Sequence, residues 1–248
     1  ERANTILHNA HHFYGDLSEL EAATLEDVRS FFKTYYAPNN AILVVAGDID
    51  PQAVLQMARQ HYGPVQPSAT LPTRKRVEEP PQLSERRMSF SDPRVSQPYV
   101  MRTYVAPERD CGGREKAAAL ALLAELLGGS GQTSVLGRKL AFETKEAIYA
   151  SAFYDGTSLD DTTFGLVVVP SEGVRLADVE KALDREIEAF LKTGVDDAQF
   201  ERIRTQIKAG IIYGKDNTEG LARRYGEALT SGLTVEDVQA WPEVLQAV

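Results

Sequence analysis

Residues 24–51 read TLEDVRSFFKTYYAPNNAILVVAGDIDP and combine a helix, a turn, an apolar run and the start of a second helix. Thr24 is a favourable N-cap, and Asp27 stands three residues on, at the spacing of a capping box. Apolar residues then recur at helical spacing as far as Tyr35, which predicts a helix with one apolar face. Pro38 ends it, because a proline disfavours helical geometry in the residue before it.

The apolar run at residues 41–46 is rich in Val and Ile, which predicts a buried strand. Asp50 then caps a second helix, and Pro51 suits its first position, where no N–H donor is needed. That helix is predicted to end at Gly63, with His61 in its last turn, where a cation suits the helix dipole. The first 63 residues are therefore predicted as helix, helix, strand, helix.

Residues 64–81 hold five of the twelve prolines and little apolar periodicity, which predicts a linker. A second unit follows over residues 82–248. Periodicity and turn residues predict four strands there, at 84–91, 99–105, 147–154 and 162–169. They also predict four helices, at 115–127, 176–191, 197–213 and 219–229.

The two units share short stretches of sequence. Residues 43–48 lead through a turn to a helix, as residues 166–170 do, and residues 24–28 match residues 234–238. Such echoes indicate duplication of one unit. Since amphipathic helices need a sheet to cover, the predicted class is α+β. It comprises two related α/β-roll sandwich units with mostly antiparallel sheets and helices on one face. The first unit, residues 1–63, is expected to be incomplete, the C-terminal portion of its domain.

The composition excludes several functions. A formal net charge of −9 argues against nucleic-acid binding, and the basic residues 74–76 lie in the linker beside two glutamates. Cys111 is the single cysteine, so no internal disulfide is expected. No apolar run approaches the roughly 18 residues of a membrane-spanning helix, and no signal peptide is visible. A soluble protein is expected, periplasmic or cytoplasmic in a bacterium.

No catalytic constellation is evident from the residues alone. His8, His11 and His12 have the spacing of one helix face, but no glutamate lies between them to activate a metal-bound water. A solvated histidine cluster is therefore favoured over a metal site. Residues 128–134, GGSGQTS, lack the lysine of a phosphate loop and the G-x-S-x-G spacing of a nucleophile elbow. They are predicted to join two helices.

Together these motifs resemble the insulinase/pitrilysin superfamily of zinc peptidases, in the short-chain branch similar to mitochondrial processing peptidase. The resemblance is most specific over residues 16–51 and covers nearly the whole chain; it is weaker at residues 128–140, 149–152 and 217–233. It implies a C-terminal fragment of a zinc-dependent endopeptidase subunit that acts on extended or unfolded peptides. The alternatives are a non-catalytic scaffold or peptide-binding relative, and an unrelated α/β ligand-binding protein.

In that family zinc is held by an inverted H-x-x-E-H motif and a distal glutamate, and the motif would lie upstream of this match. Glu1 followed by Arg2 resembles the setting of the distal ligand, yet it stands too close to the segment at Tyr35. The resemblance therefore implies zinc in the full-length protein. It assigns no metal ligand and no catalytic residue to this chain, which is expected to be inactive alone.

Many relatives carry an arginine seven residues before a tyrosine in the second domain, and this pair binds the substrate backbone. The resemblance places Tyr149 at the tyrosine position as a substrate-binding residue, whereas Phe142 occupies the arginine position. A tyrosine in a strand can equally be a packing residue of the core. Loss of the arginine implies a partner, either a second peptidase-family subunit or a second copy of the chain.

Overall fold

A computed structural model describes residues 17–73, 80–109 and 113–248. The part before the linker contains α1 (Leu17–Ala22), α2 (Leu25–Tyr35), a short 3-10 turn (Pro38–Asn40) and α3 (Pro51–Tyr62). The part after it contains three strands, β1 (Val100–Ala106), β2 (Ala147–Tyr154) and β3 (Thr162–Pro170). Its helices are α4 (Arg114–Ala124), α5 (Leu176–Thr193), α6 (Asp197–Gly214), α7 (Thr218–Thr230) and α8 (Val235–Ala247). Two π-helical segments, π1 (Glu125–Gly129) and π2 (Gly137–Glu143), lie between α4 and β2.

The three strands form one antiparallel sheet in the order β1-β3-β2. Ala150 lies opposite Val168 and Ala152 opposite Leu166, and all four side chains are buried on the same face. Helix α5 packs on β1 and β3, while α4, π1 and π2 pack on β2. The predicted α+β class is therefore confirmed, with helices covering one face of an antiparallel sheet.

The core under the sheet is made of fully buried aliphatic side chains, including Leu136, Leu140, Val168 and Leu183. Each contributes roughly 1.5–3 kcal/mol relative to an exposed side chain. A second cluster joins α4 to α6 and α8 and includes Leu122. Helix α4 is thus buried against both clusters, which explains why its sequence is apolar on nearly every side.

The predicted helix starts are confirmed in the first unit. The backbone N–H of Asp27 donates to the Thr24 hydroxyl at 3.2 Å, and the Thr24 N–H donates to the Asp27 carboxylate at 2.8 Å. At α3 the Gln52 N–H donates to Asp50 Oδ1 at 3.0 Å. Yet α1, α2 and α3 contain no buried residue, so local hydrogen bonds and not core packing define these helices.

Two predicted strands are wrong, those at residues 41–46 and 84–91. Both segments are irregular, and the side chains of Leu43 and Phe90 are exposed. A strand needs a neighbour to satisfy its backbone groups, and neither segment pairs with another in the described parts of the chain. The other elements predicted after residue 23 are confirmed, although the helix at residues 115–127 continues from α4 into π1. A helix around His8, His11 and His12 would lie outside the described residues.

Of the loop predicted at residues 128–134, residues 130–134 do join two helical segments, whereas the first two residues belong to π1. Gly128 lies in π1 against the backbone of β2. The boundaries of the two units, with a linker at residues 64–81, remain a prediction.

Candidate peptide-binding face of the sheet

The sheet has a second face that no helix covers in the described ranges. Successive residues of a strand point to opposite faces, so Tyr149 and Phe153 of β2 project away from buried Ala150 and Ala152. Their side chains are 49% and 39% exposed. Met101 of β1 is exposed as well and shares this face through its pairing with Val167. We call the surface formed by Met101, Tyr149, Ser151, Phe153 and Val167 the open face.

A β-bulge positions Tyr149. Ala147 pairs with Pro170 and Tyr149 with Val169, so Ile148 is an extra residue on β2 without a register partner. Two residues before the strand, Lys145 has φ 57, the left-handed region that side chains larger than glycine rarely adopt. Bulges and strained backbone re-aim side chains and are enriched near functional sites. The local backbone thus turns Tyr149 onto the open face.

A glycine on the neighbouring strand leaves the space that the Phe153 ring occupies. Gly165 lies directly opposite Phe153, and a Cβ at position 165 would lie 2.1 Å from Phe153 Cζ. The ring therefore lies across the backbone of β3, where only a glycine leaves room for it. Tyr149, Ser151 and Phe153 form a row with a spacing of roughly 7 Å between neighbours, the repeat of alternate side chains in an extended peptide.

Segment π1 also lies against the backbone of β2, beside the open face. The Ser151 hydroxyl donates to the carbonyl of Gly128 in π1 at 3.2 Å. Phe142 lies in π2, which packs against β2, and its side chain is exposed. Phe142 has no charge or hydrogen-bonding group, so it offers a peptide an apolar contact and no donor.

Polar contacts fix the chain at both ends of β2. Next to the strand, Glu146 pairs with Arg185 at 2.7 Å, and the hydrogen bond from Arg185 lowers the pKa of Glu146. At the other end the Tyr154 hydroxyl donates to the Pro107 carbonyl at 2.6 Å, and burial raises its pKa to about 12. Tyr154 is therefore a neutral structural tyrosine, whereas Tyr149 remains available on the open face.

The sequence analysis proposed Tyr149, which the structure places on the open face, but it did not predict Phe153 or the open face as a surface. The signal was present in AIYASAFY at residues 147–154, where small residues alternate with tyrosine, serine and phenylalanine. The small residues mark the packed face and the larger ones mark the other.

No metal centre is found in the part of the chain that the structure describes, because no three His, Cys, Asp or Glu side chains converge there. His8, His11, His12 and Glu1 lie outside the described residues. His61 lies in the last turn of α3, as predicted. Among the described helices, none combines the length and hydropathy needed to cross a membrane.

A family model described as the peptidase M16 inactive domain matches residues 22–207. The zinc protease PqqE of Helicobacter pylori is 24% identical over 218 residues, which cover 87% of this chain and 48% of that protein. The β subunit of the mitochondrial processing peptidase of Lentinula edodes is 23% identical over 226 residues, which cover 86% and 47%. The chain therefore spans about half the length of these curated relatives.

Solved structures share the fold. A protease from Helicobacter pylori superposes with a TM-score of 0.84 at 21% identity, covering 94% of this chain and 55% of that one. A putative M16-like peptidase from Alicyclobacillus acidocaldarius gives a TM-score of 0.81 at 22% identity, covering 100% and 58%. At these sequence identities the structural similarity establishes the architecture alone. Any chemical role has to be argued from the residues of this chain.

Proposed function

The chain belongs to the family of peptidase M16 inactive domains, and on that premise we propose that it is a non-catalytic, substrate-binding part of a zinc-dependent endopeptidase. The open face carries the proposal, because it displays Tyr149 and Phe153 while helices cover the other side of the sheet. Zinc and the water that it activates would belong to other residues of the full-length protein.

Extended or unfolded peptides are the substrate class that suits the open face. A peptide in extended conformation places alternate side chains roughly 7 Å apart, which matches the row of Tyr149, Ser151 and Phe153. Aromatic rings give such a ligand large contact areas without requiring one particular sequence. Pairing of the peptide backbone takes place at an edge strand of the sheet and not on its face, and it would add affinity that is equally tolerant of sequence.

A partner would complete the site. Phe142 cannot donate to a substrate carbonyl or pair with a carboxylate, so the role that relatives give to an arginine at this position would pass to another chain. That chain would be a second peptidase-family subunit or a second copy of this protein. In the scaffold alternative the open face would bind no peptide and would serve only assembly.

Replacing Tyr149 by alanine is expected to weaken binding of an unfolded peptide about tenfold, since a partly exposed aromatic contact is worth roughly 1–1.5 kcal/mol. A fluorescein-labelled unstructured peptide of about 15 residues, titrated with the chain and followed by anisotropy, measures the effect. The matched control is Tyr213→Ala in α6, where the tyrosine is 76% exposed on a helix. Equal weakening by both variants, or no binding to the parent chain, would favour the scaffold alternative.

The need for a partner is tested by peptide cleavage with the full-length protein. We expect weak cleavage from one subunit and at least about tenfold more when the partner subunit is added at equal zinc, since removal of a transition-state donor costs roughly 10²–10³-fold. Full activity of the isolated subunit, shown to be monomeric by light scattering, would contradict the two-chain arrangement. Full activity of a dimer would identify the partner as a second copy.

A further inference from the structure

A cleft with a volume of about 420 Å³ opens between α6, α7 and α8. Its apolar lining includes Ile207 and Ile211 of α6 and Val238, Trp241 and Leu245 of α8. The cleft has the size of a small-molecule site, which is typically lined by apolar side chains with a few polar groups.

Charge in the cleft is opposite in sign to that of the chain. Three arginines line it, Arg109, Arg223 and Arg224, against one carboxylate, that of Glu227. The whole chain has a formal net charge of −9. A local excess of guanidinium groups in an acidic protein attracts anions to the cleft.

Arg109 is a buried cation, and none of the carboxylates in the described residues forms an ion pair with it. It is 9% exposed, its guanidinium lies 4.1 Å from the centre of the Trp241 ring, and Nη2 donates to the Asp237 carbonyl at 3.1 Å. The Asp237 carboxylate instead accepts from Arg114 and Thr234. Burial lowers the pKa of Arg109, and the negative charge of Asp237 opposes this effect. An anion in the cleft would offset the cost of burying the cation.

The two arginines of α7 are loosely held. Arg223 pairs with Glu219 at 3.4 Å where both side chains are well exposed, an arrangement worth little in water. Arg224 forms no ion pair with any carboxylate in the described ranges. Both guanidinium groups are therefore free to turn toward a ligand, and a guanidinium can bind a carboxylate through two parallel hydrogen bonds.

We propose that this cleft binds a small amphiphilic carboxylate. The apolar part lies against Ile211 and Trp241, and the carboxylate faces Arg109 and Arg224. Such a ligand has an apolar group that ends in a carboxylate. A free fatty acid has this chemistry, and so does the C-terminus of a peptide whose last residue is apolar. The proposal is independent of peptide binding at the open face.

Trp241 provides a direct readout, because it is the only tryptophan of the chain. Decanoate is expected to change its fluorescence saturably with a Kd below about 1 mM, corresponding to roughly −4 kcal/mol. Decanol has the same aliphatic chain without the charge and should bind at least about fivefold more weakly, since a charge-assisted hydrogen bond contributes most of the difference. Equal responses to both compounds, or a response that does not saturate, would overturn the proposal.

Neutralising one arginine of the cleft tests the contribution of charge from the protein side. Arg224→Gln should weaken decanoate binding about five- to tenfold through loss of a charged hydrogen bond. Lys208→Gln is the matched control, because Lys208 is an exposed cation on α6 that does not line the cleft. Equal effects of the two variants would show a general charge effect and would contradict a specific site.

Two short peptides separate the two sources of the ligand. The peptide acetyl-Ala-Ala-Leu is offered with a free C-terminus and as its amide, with the same fluorescence readout. Binding of the free acid but not the amide identifies a peptide C-terminus as an acceptable ligand. Binding of decanoate alone identifies the fatty acid, and failure of both decanoate and the free-acid peptide to bind overturns the proposal.

Discussion

Replacing Gly128 by alanine is expected to destabilise the second unit by about 3 kcal/mol, because it inserts a methyl group where no space exists. A Cβ at position 128 would lie 1.9 Å from the Ala152 nitrogen and 2.4 Å from the Ser151 carbonyl carbon. Both are backbone atoms of β2 and cannot rotate away. Segment π1 would have to withdraw from the sheet, and the hydrogen bond from Ser151 to the Gly128 carbonyl would be lost. The shift in urea midpoint, followed by Trp241 fluorescence, measures the loss.

Gly210→Ala is the matched control for this substitution. Gly210 lies in α6, and a Cβ there would meet nothing within 4 Å. Alanine is the better helix former, so the control should gain up to about 1 kcal/mol. The close approach of π1 to β2 would be refuted if both variants shifted the midpoint in the same direction.

Elements of the second unit were largely predictable because their signals are local. Strand β2 follows the alternation of AIYASAFY, and α5 follows an apolar face at helical spacing. The strand predicted at residues 41–46 was wrong for the opposite reason. Its apolar residues favour a sheet, but a strand exists only beside a hydrogen-bonding neighbour, and a single segment does not specify one.

The candidate sites were also predictable only where the signal is local in the sequence. Tyr149 was proposed as a substrate-binding residue because the sequence around it resembles a family motif, and this role stays a prediction. The residues alone would have left it as a packing tyrosine. The cleft was missed entirely, because Arg109 lies more than a hundred residues from Arg224 and only the packing of α7 and α8 brings them together. Residues that only the tertiary fold brings together have no characteristic spacing in the sequence.

Helices α2 and α8 show how the same local signal has different consequences in the two units. Thr24 with Asp27 and Thr234 with Asp237 form the same capping box. One residue on, Val28 is 61% exposed, whereas Val238 is 8% exposed and packs with Ala228 and Leu233. The cap alone defines the start of α2, while the cap of α8 is embedded in the core of the second unit.

Asp237→Ala is therefore expected to lower the stability of the second unit by about 2–3 kcal/mol at neutral pH, from loss of the cap and of a largely buried ion pair. The Asp237 carboxylate is buried, pairs with Arg114 and accepts from the Thr234 N–H at 2.8 Å. Removing it also leaves the Arg114 guanidinium, half covered by protein, without its counter-charge. Urea unfolding of the parent chain and the variant, followed by Trp241 fluorescence, gives the difference directly.

The pH dependence of that difference identifies the charge as its source. Hydrogen bonds from Thr234 lower the pKa of Asp237 in the folded state, with a smaller contribution from Arg114. A depressed folded pKa stabilises the protein above the unfolded value of about 4, and this contribution is lost as pH falls through the folded pKa. The difference in the free energy of unfolding between the parent chain and Asp237→Ala should thus become smaller as the pH falls from about 5 to about 2. Asp27→Ala removes the same cap from exposed α2 and should leave the Trp241 transition unchanged. A gap that persists unchanged to low pH would show that packing, and not the charge of Asp237, holds α8 in place.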